Sequence, residues 1–295
     1  MDKKVEWYLS FFYQNGFRFY EREKKTIVVD EAKIQSYVDY INENQIKVVA
    51  VNSLYYHKND LTFLEQCPHV EEVHINSIFI TDHSKLYSLK NLQVLSIEEP
   101  KMELDLSVFS NTLKELSIEH NRYVKKLETC TNLHTLMIWK YKPKSKNLEE
   151  LKSLKQVKDL SIIQGNINSL KGCRSFQKLT KLEVHYLRNL KHIDEIENNS
   201  MTIKSVEFGH CRNLKNHGYV VCLKELETLI FESCGDIQNL QFVKALTKLT
   251  HLSFVDCNIV DGNIKPCIGL NFVGFNNKRH YNHTFEELNP NFKVN

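Results

Sequence analysis

Glycine and proline are scarce in this chain, with nine and five in 295 residues, well under average usage. No Gly/Ser-rich or Pro-rich linker divides it, so one continuous body is expected. Long apolar runs are missing too: none approaches the roughly 18 residues that mark a membrane helix. The first residues hold two early lysines but soon meet Glu6, Gln14, Asn15 and Arg18, without the apolar stretch and small-residue cleavage site of a secretory leader. A soluble, cytoplasmic protein is expected, with no membrane partner.

The usual signatures of chemistry are absent as well. There is no CxxC, HExxH, GxGxxG, Walker A or GxSxG sequence, so no metal, no cofactor and no enzymatic activity are expected. Of thirteen histidines, His280 and His283 come closest to a ligand pair; with no second pair nearby, a solvated loop is the better reading. The eight cysteines read as free thiols in a reducing compartment. A net charge of +3 is too small to indicate nucleic-acid binding by itself.

What is present is a repeat. The pattern apolar-x-x-apolar-x-apolar is clearest at Leu92/Leu95/Ile97, Leu113/Leu116/Ile118, Leu133/Leu136/Ile138, Leu179/Leu182/Val184, Leu226/Leu229/Phe231 and Leu249/Leu252/Phe254. Weaker copies stand at Ile46/Val49/Val51, Val70/Val73/Ile75, Val157/Leu160/Ile162, Ile203/Val206/Phe208 and Leu270/Val273/Phe275. The first positions lie 20 to 24 residues apart. Eight residues after the first apolar site stand Asn121, Cys211, Cys234 and Cys257, three cysteines in one column. There a small hydrogen-bonding side chain packs beneath neighbouring backbone. Tyr141 and Gly165 depart from the pattern, so the turns need not be uniform.

Spacing and motif resemble the leucine-rich-repeat family, in a bacterial-type intracellular form, over residues 46 to 275. The resemblance implies an α/β fold: a curved solenoid of about eleven repeats, with a parallel concave sheet and short helices or turns on the convex side. Residues 1–45, aromatic-rich (Trp7, Tyr8, Phe11, Phe12, Phe17, Phe19, Tyr20) and helix-containing after Asp30, are read as an N-terminal cap. Residues 46–277 are the repeats, and 278–295 a C-terminal tail or cap.

On each strand the second, fourth, sixth and seventh residues after the first apolar site point outward. From residue 70 onward these sites hold ten acids, Glu72, Glu98, Glu99, Glu115, Glu119, Asp159, Glu183, Glu207, Glu232 and Asp256, against Lys140 and Lys181. The face thus carries −8 in a chain of +3, and such a surface attracts a basic protein while repelling nucleic acid. Met137, Trp139, Ile163, His185 and Tyr186 add large side chains mid-array, the usual anatomy of a binding hot spot, with Trp139 its centre. The expected partner-binding set is therefore Glu98, Glu119, Met137, Trp139, Ile163, His185, Tyr186, Glu207, Glu232 and Asp256. A non-enzymatic protein-interaction module follows, as an immunity protein or inhibitor masking a cationic effector, or as an adaptor or scaffold. Nucleic-acid binding through a basic convex side, motivated by Lys140, Lys142, Lys144 and Lys146, and a ligand-receptor or enzyme pocket in the concavity are weaker alternatives.

Overall fold

The computed structural model describes residues 11–20 and 25–292. Trp7 and Tyr8 of the expected cap, and residues 293–295 of the expected tail, lie outside the described residues. The chain divides into two compact units, Met1–Leu133 and His134–Asn295.

In the first unit, β1 (Phe11–Gln14) and β2 (Phe17–Tyr20) form an antiparallel hairpin. Its Asn15-Gly16 turn has both residues left-handed, at φ 54° and 83°, the geometry that matches strand twist and favours Asn-Gly. β3 (Thr26–Val28) pairs antiparallel with β2 and parallel with β4 (Val48–Asn52). Between them, the Asp30 carboxylate accepts from the Ala32 amide at 3.0 Å, and helix α1 (Ile34–Glu43) buries Tyr37, Val38, Tyr40 and Ile41. β5 (Glu72–Asn76), β6 (Val94–Ile97) and β8 (Glu115–Glu119) continue the parallel sheet. Two-residue strands β7 (Leu104–Asp105) and β9 (Val124–Lys125) pair with each other as a separate two-stranded parallel sheet.

Each of β4, β5, β6 and β8 begins two residues after the first apolar position of its motif. Alternation explains the register. Val49, Val73, Leu95 and Leu116 lie side by side, and so do Val51, Ile75, Ile97 and Ile118. All eight are at most 3% exposed. One strand cannot shield such a face, and stacking supplies the cover, with each buried aliphatic side chain contributing about 1.5–3 kcal/mol.

The second unit repeats the arrangement in β10 (Thr135–Tyr141), β11 (Asp159–Gly165), β12 (Lys181–His185), β13 (Ser205–Gly209) and β14 (Thr228–Glu232), followed by the pair β15 (Asp236–Ile237) and β17 (Asn258–Ile259), with β16 (His251–Ser253) and β18 (Phe272–Gly274) completing the sheet. Leu136, Leu160, Leu182, Val206, Leu229, Leu252 and Val273 form one buried row. The segments returning from one strand to the next are short 3₁₀ turns, such as Ser84–Ser88 and Gln241–Ala245, with apolar residues turned inward. At the carboxyl end, α2 (Phe285–Leu288) is fixed by a capping box between Thr284 and Glu287. Its Phe285 ring packs edge-on against Phe272 and Phe275. Asn289 then closes the open edge of β18: its amide donates to the Val273 carbonyl at 2.8 Å and accepts from the Val273 N–H at 2.9 Å. A bare strand edge is thereby satisfied within the chain.

Candidate functional site

The turn that leaves each strand sets which side chains reach the sheet surface. In the second unit the seventh residue after the first apolar site is left-handed in six successive repeats: Lys140, Gln164, Tyr186, His210, Ser233 and Asp256, with φ between 50° and 62°. That rotation turns the next side chain inward, so Tyr141, Leu187, Cys211, Cys234 and Cys257 are at most 3% exposed. The three thiols donate to carbonyls of the preceding strand: Cys211 to Val184 at 3.6 Å, Cys234 to Phe208 at 3.1 Å and Cys257 to Phe231 at 3.6 Å. Asn121 acts likewise in the first unit, donating to the Pro100 carbonyl at 2.8 Å and accepting from the Tyr123 N–H at 2.9 Å. All eight cysteines are free. Burial pushes the Cys130, Cys173, Cys257 and Cys267 thiols up to about 12, which disfavours the nucleophilic thiolate.

On the outward face of the second unit, strand register places Trp139, Ile163, His185, Gly209 and Glu232 in one row. Met137, Ser161, Glu183, Glu207 and Ile230 form the adjacent row. Met137, Trp139, Ile163 and His185 are half-buried against one another's strands, whereas Tyr186 is 49% exposed. Gly209 leaves room here: a Cβ on it would lie 2.3 Å from His185 Nδ1, so the imidazole uses the space a side chain would fill. His185 Nε2 lies 3.6 Å from the Glu207 carboxylate. The Tyr186 ring stacks on His210, centroids 4.5 Å apart and 14° between planes, and His210 Nε2 lies 3.7 Å from Glu232. An apolar patch thus runs into a rim of carboxylates, two of which face imidazoles.

Two details correct the outward-face reading. Glu183 is 6% exposed; its carboxylate accepts from the Ser161 hydroxyl and pairs with Lys181 at 2.6 Å. It therefore belongs to the support of the face and not to its charged surface. The expected set also lacked His210, which the seventh-residue column could have flagged because the same column contains Tyr186. Asp256 is exposed in its turn, held by its N–H to Asn276 Oδ1 at 2.8 Å.

Glu98 and Glu119 lie in the first unit, at the ends of neighbouring strands, where the Glu119 N–H donates to the Glu98 carbonyl at 3.1 Å. The Glu98 carboxyl is pushed above its ordinary value, first by desolvation and second by the Glu119 charge. Lys142, Lys144 and Lys146 occupy the exposed loop after β10, which closes where the Lys146 N–H donates to the Pro143 carbonyl. His280 turns to the Ile259 carbonyl at 3.0 Å and His283 to Glu287 at 3.4 Å, so the two rings take separate partners. Among the described residues no three His, Cys, Asp or Glu side chains converge on a cation site, and no helix is long and apolar enough to cross a membrane.

No family model matches the sequence, and neither does any curated protein. Solved structures do resemble the fold. An internalin from Listeria monocytogenes aligns at 18% identity over 82% of this chain and 71% of its own, with a TM-score of 0.58. A leucine-rich-repeat protein from Leptospira interrogans aligns at 14% identity, covering 85% and 88% of the two chains with a TM-score of 0.44. The functional domain of InlJ from Listeria monocytogenes, which includes a cysteine ladder, aligns at 16% identity; 78% of this chain and 61% of that one are covered, with a TM-score of 0.39. Taken with the repeat register and the parallel strands that follow it, the first of these likenesses makes the chain a leucine-rich-repeat protein in fold.

Proposed function

We propose that the chain is a non-enzymatic binding protein whose second unit receives a basic protein partner on the outward face of its sheet. The observation that carries this reading is the row Trp139–Ile163–His185, half-buried on strands β10 to β12 and bordered by Glu207 and Glu232. Large apolar side chains held rigidly beside acids offer contact area with little ordering cost and steer a cationic surface toward it. The same carboxylates repel phosphate, which turns this face away from nucleic acid. A cytoplasmic inhibitor of a cationic protein fits such a surface.

The test is capture from an extract of the source cells by tagged wild type, Trp139→Ala and the double variant Glu207→Lys/Glu232→Lys, followed by affinity measurement with the purified partner. Loss of Trp139 should weaken binding by about 2–4 kcal/mol, and the charge reversal should weaken it and reduce its salt dependence. A basic partner held equally by all three proteins would remove the site from this face.

A further inference from the structure

The first unit has an exposed apolar edge of its own. Leu54, directly after β4 and its Ser53, is 64% exposed, and Ile78 and Phe79, after β5, are 66% and 38% exposed. They belong to neighbouring loops: the Ile78 N–H donates to Ser53 Oγ at 3.0 Å. Leu54 and Ile78 occupy the eighth position of their repeats, the column that in the second unit buries Leu187 and three cysteines. In these two repeats the side chain is turned out, although Pro100 in the same unit is buried. Three large apolar side chains thus meet solvent in adjacent loops, two of them in a column that the second unit buries, and such a patch is the kind of surface that a partner covers.

Beside them opens a narrow cleft of about 40 Å³, lined by Ile78, Ile80, Ile97, Glu98, Glu99 and Lys101. Its volume admits a side-chain stem and not a small organic ligand. Its lining joins isoleucine side chains to Ser77 and to the two glutamates, with Glu119 on the next strand. That combination matches the long methylene stem and cationic head of lysine or arginine. The chain's own Lys101 already places an ammonium there, donating to the Ile78 carbonyl at 3.1 Å.

We propose that Leu54, Ile78, Phe79 and the cleft edged by Glu98 and Glu99 form a docking surface for a peptide segment of a partner protein in which an arginine or lysine alternates with apolar residues. The cation's stem lies along the exposed Ile78, its head meets the carboxylates, and the neighbouring apolar residues cover Phe79 and Leu54. The local concentration of carboxylates disfavours an anionic membrane as the occupant.

The experiment titrates the isotope-labelled full chain with a blocked Leu-Arg-Leu-Arg peptide, with its Leu-Glu-Leu-Glu counterpart, and with phosphatidylcholine vesicles, following backbone amide resonances. The arginine peptide should shift the amides of residues 77–80 and 97–101, and the glutamate peptide should not. Ile78→Ser and Glu98→Gln/Glu99→Gln should each weaken that binding by roughly tenfold, while Trp139→Ala leaves it unchanged. These side chains are exposed, so unaltered melting curves will show that the variants fold. Equal binding by wild type and both variants, shifts confined to the second unit and lost with Trp139→Ala, or binding of vesicles in place of the peptide would each overturn the proposal. The first and third outcomes leave the reading of the second unit untouched, and a lost response to Trp139→Ala would favour it.

Discussion

The two units leave their strands by different turns, and in two repeats of the first unit the difference accompanies a side chain turned to solvent. In the second unit a left-handed seventh residue rotates the eighth side chain inward, where Leu187 is fully buried. In the first unit the corresponding Ser53, Ser77, Glu99 and His120 are not left-handed. There the serine hydroxyls hold the departing backbone, Ser53 Oγ accepting from the Ile78 N–H and Ser77 Oγ from the Phe79 N–H at 3.3 Å. Leu54 and Ile78 consequently point outward. Pro100 is buried without such a turn, so the left-handed residue is one way to seat the column and not the sole one.

The sharpest break in that comparison is truncation of the same column in both units. Leu187→Ala should destabilise the protein by about 2–5 kcal/mol, because a fully buried leucine leaves a cavity. Ile78→Ala should stay within about 0.5 kcal/mol, as expected of an exposed side chain. Denaturant unfolding of both variants measures this; equal losses would show that Ile78 is packed as tightly as Leu187 and would remove the contrast.

A smaller effect tests the backbone itself. A β-branched residue tolerates the left-handed region poorly, at about 1–2 kcal/mol, so Ser233→Val should lower the melting temperature while Glu99→Val, at an exposed seventh position that is not left-handed, changes it little. Glycine should act with the opposite sign: Gln164→Gly relieves the strain at φ 62° and should stabilise, whereas Ser77→Gly adds backbone freedom and loses a hydroxyl acceptor, and should destabilise by about 0.5–1 kcal/mol. Matching responses at equivalent sites would mean that the two turns are interchangeable.

Much of the fold could be read from residue types because the repeat imposes a local rule. Leu95 and Ile97 alternate with Ser96, and a strand with one buried face must follow. The left-handed column could not be read that way, since Lys140, Gln164, Tyr186, His210, Ser233 and Asp256 share no side-chain chemistry; tertiary packing of the next residue imposes the conformation. The Asn15-Gly16 hairpin was legible and was passed over, because the aromatics around it were read only as material for a cap. For the candidate site, outward placement of Trp139, Ile163 and His185 followed from the alternation. Burial of Glu183 did not, because it depends on Ser161 and Lys181 being close enough to satisfy the carboxylate, a relation between strands that residue order does not display.

The smallest expected effect asks whether the two units answer acid alike. His83 in the first unit and His217 in the second are 1% and 2% exposed, and burial is the main reason that each imidazole titrates below the ordinary 6.5. His217 is tied to the cysteine column, its Nε2 donating to the Cys234 carbonyl at 3.0 Å, and its ring meets Phe231 edge-on. A depressed value means that the unfolded chain takes up protons which the folded chain refuses, so stability present above pH 6.5 is lost as pH falls toward each folded value. Down to pH 4.5, the ordinary value for glutamate, these imidazoles should dominate the decline, with Glu98, pushed upward, acting in the opposite sense near the lower end. Unfolding midpoints measured across that interval should fall for wild type, fall less for His83→Gln or His217→Gln, and flatten in the double variant. A slope unchanged in the double variant would assign the acid response to groups other than these two; a slope removed by one substitution alone would show that only one unit carries it.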